Sequence, residues 1–543
     1  MSQDFVPLAE HIADALLECA PGLAASAGDH RFDDRLPDYS TDGVASDVEM
    51  LRDASAALSQ VDVDELGVQD QVDHAVLLAR VERMLFERSE IREHEWNPLV
   101  HNPGTLLHGL ISRPFAPAEQ RLVSIAARLS AIPDSLATAR EVLGDSPRVH
   151  VETAIGQFAG TARLVREDLG ELFKEAPGMA EVVAPAQERA AAELDAFAEW
   201  LRGRLEQAGE SAERDPRLGR RLWEARLWHT LDTELGARTV LERAEANLER
   251  VSGELRAVAA ELTGGAESTE TVREALARAA ADVPDNDTIV ELAKVSLDEA
   301  TAFVRDHELV TLIDDPLVIM EMPEFARGVA VAYCDPPGLL EPAELPTFFC
   351  ISPTPADWSA ERVASFYREY NSHMLRDLTV HEATPGHFLQ LAHARRFRGR
   401  TRARAIGWSG PFVEGWAVYA EELMADRGFG GLPVRLQQLK MQLRMSINAI
   451  IDQRVHCDGM TEDEAMALMM ERGFQEEGEA AGKWRRALLS STQLSTYFVG
   501  YTEVRQIADE RPANVTLRDW HDRMLAHGSP PPRHLRTLLN LNP

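Results

Sequence analysis

The sequence predicts a mainly helical protein with a small sheet inserted before its last run of helices. Three observations carry that expectation. Long stretches space their apolar residues by three and four, short β-rich runs cluster between 308 and 351, and no period of fixed length repeats. A chain of 543 residues can bury a large core, and its 45% hydrophobic and 27% charged residues suit a folded protein.

The first region, residues 1–290, reads as helical. In EQRLVSIAARLSAIPDSLATAREVL (119–143), Leu122, Ile125, Ala126, Leu129 and Ile132 form one apolar stripe, and Pro133 is expected to kink or split the helix. Similar stretches cover 186–208 and 238–262, with loops at Gly144-Asp145-Ser146-Pro147 and Gly264-Gly265. The second region, 291–543, opens with the candidate strands ELVTLI (308–313), LVIMEM (317–322), VAVAYC (329–334) and TFFCI (347–351). Helices are expected from 360 to about 507, with Pro530-Pro531-Pro532 in an extended tail. The two regions are expected to share one compact body.

Charge and composition exclude several functions. A net charge of −33 repels phosphate backbones and argues against nucleic-acid binding. No apolar run approaches the length of a membrane span, and Met-Ser-Gln-Asp-Phe-Val-Pro lacks the basic and apolar regions of a secretory signal. Cys19, Cys334, Cys350 and Cys457 lie far apart without C-x-x-C spacing, as reduced thiols do. The expectation is a cytoplasmic enzyme.

Its chemistry centres on LRDLTVHEATPGHFLQLAHA (375–394). Two neutral imidazoles, His381 and His387, suit Zn²⁺, and Glu382 beside the first suits a base that takes a proton from a water whose pKa the metal brings to roughly 7. The step between the histidines is six residues, not the four that puts both on one helical face. Pro385 forbids a regular helix through this point, because its ring would meet the carbonyl of His381, and Gly386 permits unusual backbone angles. A kink there can return His387 towards His381. The competing reading is a helix that ends at Pro-Gly with two unrelated histidines. A second helix, GPFVEGWAVYAEELMADRGF (410–429), sets Glu414 in an apolar frame and Glu421 two turns on along the same face. A carboxylate facing a core needs a partner, and zinc is one.

Together the segments H-E-A-T-P-G-H (381–387) and E-G-W-A-V-Y-A-E (414–421) resemble the bacterial zincin-like family known as domain of unknown function 885. That family's hallmark is H-E-A-x-P-G-H-H followed by E-G-W-A-x-Y-A-E. The likeness extends to WNPLVHNPGTLLHGLISRPFAP (96–117), HVETAIGQFAG (150–160), AYCDPPG (332–338), IIDQRVHCDGMTEDEA (450–465) and TYFVGYTEVR (496–505). Phe388 departs from the usual second His of the pair, and Arg454 with Val455 from the G-I-H segment. The resemblance implies a large helical zincin-like body, with His381, His387 and Glu414 as ligands of one zinc per chain and Glu382 as general base. Glu421 then accepts from an imidazole behind the metal or lies at the surface, since seven helical residues span about 10 Å.

Other groups complete the candidate site. Tyr497 is the candidate donor to an oxyanion, and His456 either donates similarly or caps the turn before Gly459. Arg505 is the candidate anchor for a substrate carboxylate, with Tyr333 of AYCDPPG as a further substrate contact. The cluster Arg395, Arg396, Arg398, Arg400, Arg402 and Arg404 either binds a carboxylate or balances nearby acids. No G-x-S-x-G motif points to a serine nucleophile. The reading is a zinc-dependent hydrolase of a peptide or amide bond, a metallopeptidase or carboxypeptidase-like enzyme. Its rivals are a hydrolase or lyase of a specialised small-molecule amide at the same site, and a non-catalytic binding protein on this fold.

Overall fold

Where the apolar spacing is helical, the chain is helical. The computed structural model describes residues 5–208, 214–322, 331–356 and 358–541, and these form a mainly α structure with one three-stranded sheet among the described residues. The predicted stretches become the helices Ala118–Val142, Ala180–Ala208 and Ala237–Thr263. Pro133 lies inside the first of these, which continues through it. Leu129, Ile132 and Leu136 on either side are buried in one core, and that burial outweighs a proline cost of about 3 kcal/mol. Gly264, at φ 74°, closes Ala237–Thr263 in the left-handed conformation that glycine adopts freely.

The chain forms two compact units. One comprises Met1–Pro216, Pro337–Leu345 and Gly399–Gly407; the other comprises Arg217–Pro336, Pro346–Arg398 and Trp408–Pro543. Position 290 falls within the second, in the helix Ile289–Asp306. The first unit has two cores. Phe158, Phe197 and Leu129 anchor one, between Ala118–Val142, Arg148–Glu167 and Ala180–Ala208. Leu16, Leu17, Leu51 and Leu77 anchor the other, between Phe5–Cys19, Thr41–Ser59 and Val68–Phe86.

Eight helices of the second unit matter here: α1 (Ala237–Thr263), α2 (Ile289–Asp306), α3 (Ser372–Glu382), α4 (His387–Ala394), α5 (Gly410–Asp426), α6 (Gly431–Asp458), α7 (Glu477–Leu489) and α8 (Ser495–Asp509). Helix α5 is buried along almost its whole length, with Phe412, Trp416 and Ala420 fully enclosed, because it lies between α3, α4, α6 and α8. The sheet consists of β1 (Leu317–Glu321), β2 (Ala332–Asp335) and β3 (Thr347–Ile351) in the order β1-β3-β2. Strand β1 pairs parallel with β3, Leu317 opposite Thr347, and β2 antiparallel, Ala332 opposite Ile351; β2 also packs on α3. Residues 329 and 330 of the predicted third run lie outside the described residues.

Two local expectations are corrected. The run 308–313 is not a strand, although Leu309 and Val310 are buried as a strand's would be. Side chains take its polar groups instead: Asp522 accepts from the Thr311 N–H at 2.9 Å, and His521 Nδ1 lies 2.6 Å from the Leu309 carbonyl. The proline tail is not extended throughout either. Pro532 begins the helix Pro532–Leu538, since a first-turn proline lacks only an N–H that would go unpaired anyway.

Candidate metal centre

The local sequence builds the centre in two steps. The Asn371 side chain accepts from the N–H groups of His373 and Met374, both at 3.2 Å, and so starts α3. Buried Leu375 and Val380 hold the helix in the core, and it ends at Glu382. The next four residues form a turn closed by the Gly386 N–H on the Val380 carbonyl at 3.0 Å. A Cβ at position 386 would stand 1.9 Å from the carbonyl oxygen of His381, so only glycine fits. Trp416 of α5 donates its indole N–H to the Pro385 carbonyl at 2.8 Å and pins the turn. Helix α4 then begins at His387, with its ring centroid 4.6 Å from that of His381 and the planes at 83°.

Helix α5 brings the acids. Glu414 Oε2 lies 3.5 Å from Nε2 of His381 and 3.5 Å from Nε2 of His387. Two turns along, Glu421 Oε1 lies 2.5 Å from the other nitrogen of His381, Nδ1. One imidazole is thus held between two carboxylates of the same helix. Glu421 is 2% exposed, which places it behind His381 and not at the surface. A close crossing completes the arrangement. A Cβ at Gly415 would stand 2.3 Å from the backbone of Gly500, and one at Gly500 would stand 2.0 Å from the Pro411 carbonyl, so α5 and α8 meet through glycine. Tyr497 sits one turn before that contact, where its hydroxyl feels the charges of Glu414 and His381.

Electrostatics match the geometry. Burial works against a charged His381, but the carboxylates of Glu414 and Glu421 prevail and hold its pKa well above the usual imidazole value. Burial likewise works against the Glu414 carboxylate, yet His381 and His387 drive its pKa far below the carboxylate range. Asp377, one turn before His381 on α3 and 2% exposed, was not anticipated from the sequence; a carboxylate four residues before a ligand-type His was the available signal. Burial and the Glu421 charge push the Asp377 carboxyl well up, and burial raises Glu421 as well.

The donors fit a zinc ion. Among the described residues, His381, His387 and Glu414 each offer a ligand atom, and these atoms all lie within 4.8 Å of one another. Two imidazole nitrogens and a carboxylate are a donor set zinc accepts, with a fourth position left for water or substrate. Glu414 Oε2 is buried without a hydrogen-bond partner, as a ligand atom would be. The Glu421 contact fixes which nitrogen of His381 faces the site.

The other candidates divide. Glu382, buried at the end of α3, is near enough for its charge to act on His381. His456 is not brought to the centre. Its Nδ1 takes the Leu218 N–H at 3.3 Å and its Nε2 lies 2.9 Å from the Ala487 carbonyl, which makes it a brace between chain segments. Arg505 is already paired, with Glu422 at 3.0 Å and Asp509 at 3.3 Å. Tyr333 lies on β2 opposite Cys350, in the strand that packs on α3. The arginine cluster balances acids: Arg396 pairs with Asp315, Arg402 with Glu10 and Asp14, and Arg404 with Asp73.

Comparison with known proteins fits this picture. The model of the family described as "Bacterial protein of unknown function (DUF885)" matches residues 21–539. A candidate lipoprotein of unknown function from Shewanella oneidensis has the same fold at 27% identity, with a TM-score of 0.83 over 99% of this chain and 100% of that one. A candidate lipoprotein from Colwellia psychrerythraea aligns at 16% identity with a TM-score of 0.80, over 99% of this chain and 98% of that one. A carboxypeptidase from Deinococcus radiodurans aligns at 12% identity with a TM-score of 0.30, over 93% of this chain and 92% of that one. No curated protein matches.

Proposed function

The chain belongs to this family, and we propose that it is a zinc-dependent hydrolase that cleaves a peptide or amide bond with Glu382 as general base. The observation that supports the reading is the pair of carboxylates on α5 that grip His381 from both nitrogens, Glu414 shared with His387 and Glu421 behind. His381, His387 and Glu414 would hold a zinc ion, which would supply Lewis acidity towards a carbonyl and a bound water.

The chain's own groups do the rest. Glu421 keeps the His381 ring in one orientation, so Nε2 faces Glu414. Glu382 takes the proton of the attacking water and returns it to the leaving nitrogen. The Tyr497 hydroxyl donates to the oxygen that gains charge as the carbonyl carbon becomes tetrahedral. Burial raises the Tyr497 pKa, which keeps that proton in place at neutral pH. Glu382→Gln is expected to retain the metal and lose about 10²–10⁴-fold in turnover on a peptide library. Unchanged turnover would assign the base to another group. A reducing compartment belongs to the proposal and rests on four cysteines that are all free thiols. No described helix is long and apolar enough to cross a membrane.

A further inference from the structure

Beside Tyr497 the protein gathers several cationic side chains. The Tyr497 hydroxyl accepts from Arg486 Nη2 at 3.3 Å, and the same Nη2 donates to Gln493 Oε1 at 2.8 Å. Both partners are neutral. One turn earlier on α7 lies Lys483, 6% exposed, with no hydrogen bond or ion pair among the described residues. Its charged neighbours are Arg444, Arg486 and Glu369. Glu369 Oε2 is taken by Lys440, at 2.9 Å, and by the Glu476 N–H at 3.1 Å, while its Oε1 is buried without a hydrogen-bond partner, 4.0 Å from Arg444 Nη1. Arg444 takes Glu479. Lys440 and Arg444 thus have carboxylate partners in Glu369 and Glu479, whereas neither Lys483 nor Arg486 forms an ion pair among the described residues.

A buried cation without a counterion costs stability, so its retention points to a ligand that pairs with it. Burial draws the Lys483 pKa well down, and Arg444 and Arg486 add to that effect. An arriving anion opposes that effect, because it pairs with the ammonium. Guanidinium and ammonium donors beside a tyrosine hydroxyl suit a planar carboxylate.

We propose that Lys483 and Arg486, with Tyr497 between them and the metal centre, form a subsite for a free carboxylate of the substrate. This rests on the hydrolase reading and narrows it to peptides or amides that carry a carboxylate near the bond cleaved. Arg505, bound by Glu422 and Asp509, is not the anchor. Sequence reasoning missed the subsite because GKWRRALL matches no motif; the available signal was Lys483 and Arg486 three residues apart on a face shared with buried Ala480 and Ala487.

The test uses N-acetyl-alanyl-alanine and its C-terminal amide, titrated calorimetrically into zinc-supplemented Glu382→Gln protein so that neither is turned over. The acid is expected to bind at least about tenfold more tightly than the amide. Adding Lys483→Met is expected to erase that preference while Tm holds or rises, since a buried unpaired charge is removed. A lysine with a purely structural role would lower Tm on removal. Arg486→Gln gives the same comparison from the other donor. Equal affinity for acid and amide, no binding of the acid at millimolar concentration, or a preference that survives both variants overturns the proposal. Metal content of the same samples separates the two readings. Zinc present without acid preference defeats the subsite alone, and acid preference without zinc defeats the hydrolase reading alone.

Discussion

Two buried clusters of charge in this molecule are built on opposite plans. In the first unit, Arg404 and Asp73 are almost fully enclosed, and each is fully committed. Arg404 Nε meets Asp73 Oδ1 at 2.7 Å, its Nη2 meets Gln69, and Thr401 donates to Asp73 Oδ2 at 2.7 Å. In the second unit, Glu414 Oε2, 3.5 Å from Nε2 of both His381 and His387, is buried with no hydrogen-bond partner. The Arg404–Asp73 pair is closed upon itself, although the neighbouring Asp70 leaves Oδ1 without a hydrogen-bond partner. The second converges on a point its own groups do not fill. Buried charge alone therefore does not mark a site; unspent ligand atoms aimed at one another do.

The comparison breaks if the closed cluster proves functional. Arg404→Ala leaves Asp73 buried without its cation and is expected to cost about 3–5 kcal/mol of stability by denaturant titration. Its metal content should stay at wild type. Loss of metal in that variant would show that the two clusters do not act independently.

A second prediction sharpens the division of labour on α5. Glu421→Ala removes the acceptor behind His381 and is expected to weaken metal affinity by about 10–100-fold without abolishing it. A competition titration with a chromogenic chelator reads the difference. Unchanged affinity would make the 2.5 Å contact with His381 structural only.

The smallest effect expected is on the pH dependence of metal affinity. In the metal-free protein the His381 pKa is raised, so a proton competes with the metal up to a higher pH than for a free imidazole. Affinity should fall about tenfold for each unit of acidification below that pKa, one proton being displaced. Above it, affinity should level off. Glu421→Ala takes away one of the carboxylates that raise the pKa and should move the break to lower pH. A break that stays in place would mean that Glu421 does not set it.

Much of this was legible in the sequence, for identifiable reasons. The helices followed from apolar spacing, and Pro385 and Gly386, whose steric demands are local, permitted the return of His387 towards His381 without fixing it. Glu414 was legible because it stands at the family's E-G-W-A position with Gly415 beside it, and that glycine is where α5 and α8 meet. The role of Glu421 was not decided, because its partner lies 40 residues away and a sequence face does not say what packs against it. The run 308–313 misled for a similar reason: its β-like residues are buried, but Asp522 and His521 satisfy its backbone in place of a strand. His456 and Arg505 looked available only because their partners, Leu218 and Glu422, are remote in sequence. Sequence shows which donors a residue carries, not which are already taken.

The central claim is that His381, His387 and Glu414 hold one metal ion, and elemental analysis of the purified protein tests it most directly. Protein supplemented with zinc at neutral pH and then desalted should retain about one zinc per chain, and Glu414→Ala, treated alike, should retain almost none. Wild-type protein without stoichiometric metal, or a Glu414→Ala variant that keeps it while Glu421→Ala loses it, would contradict the account.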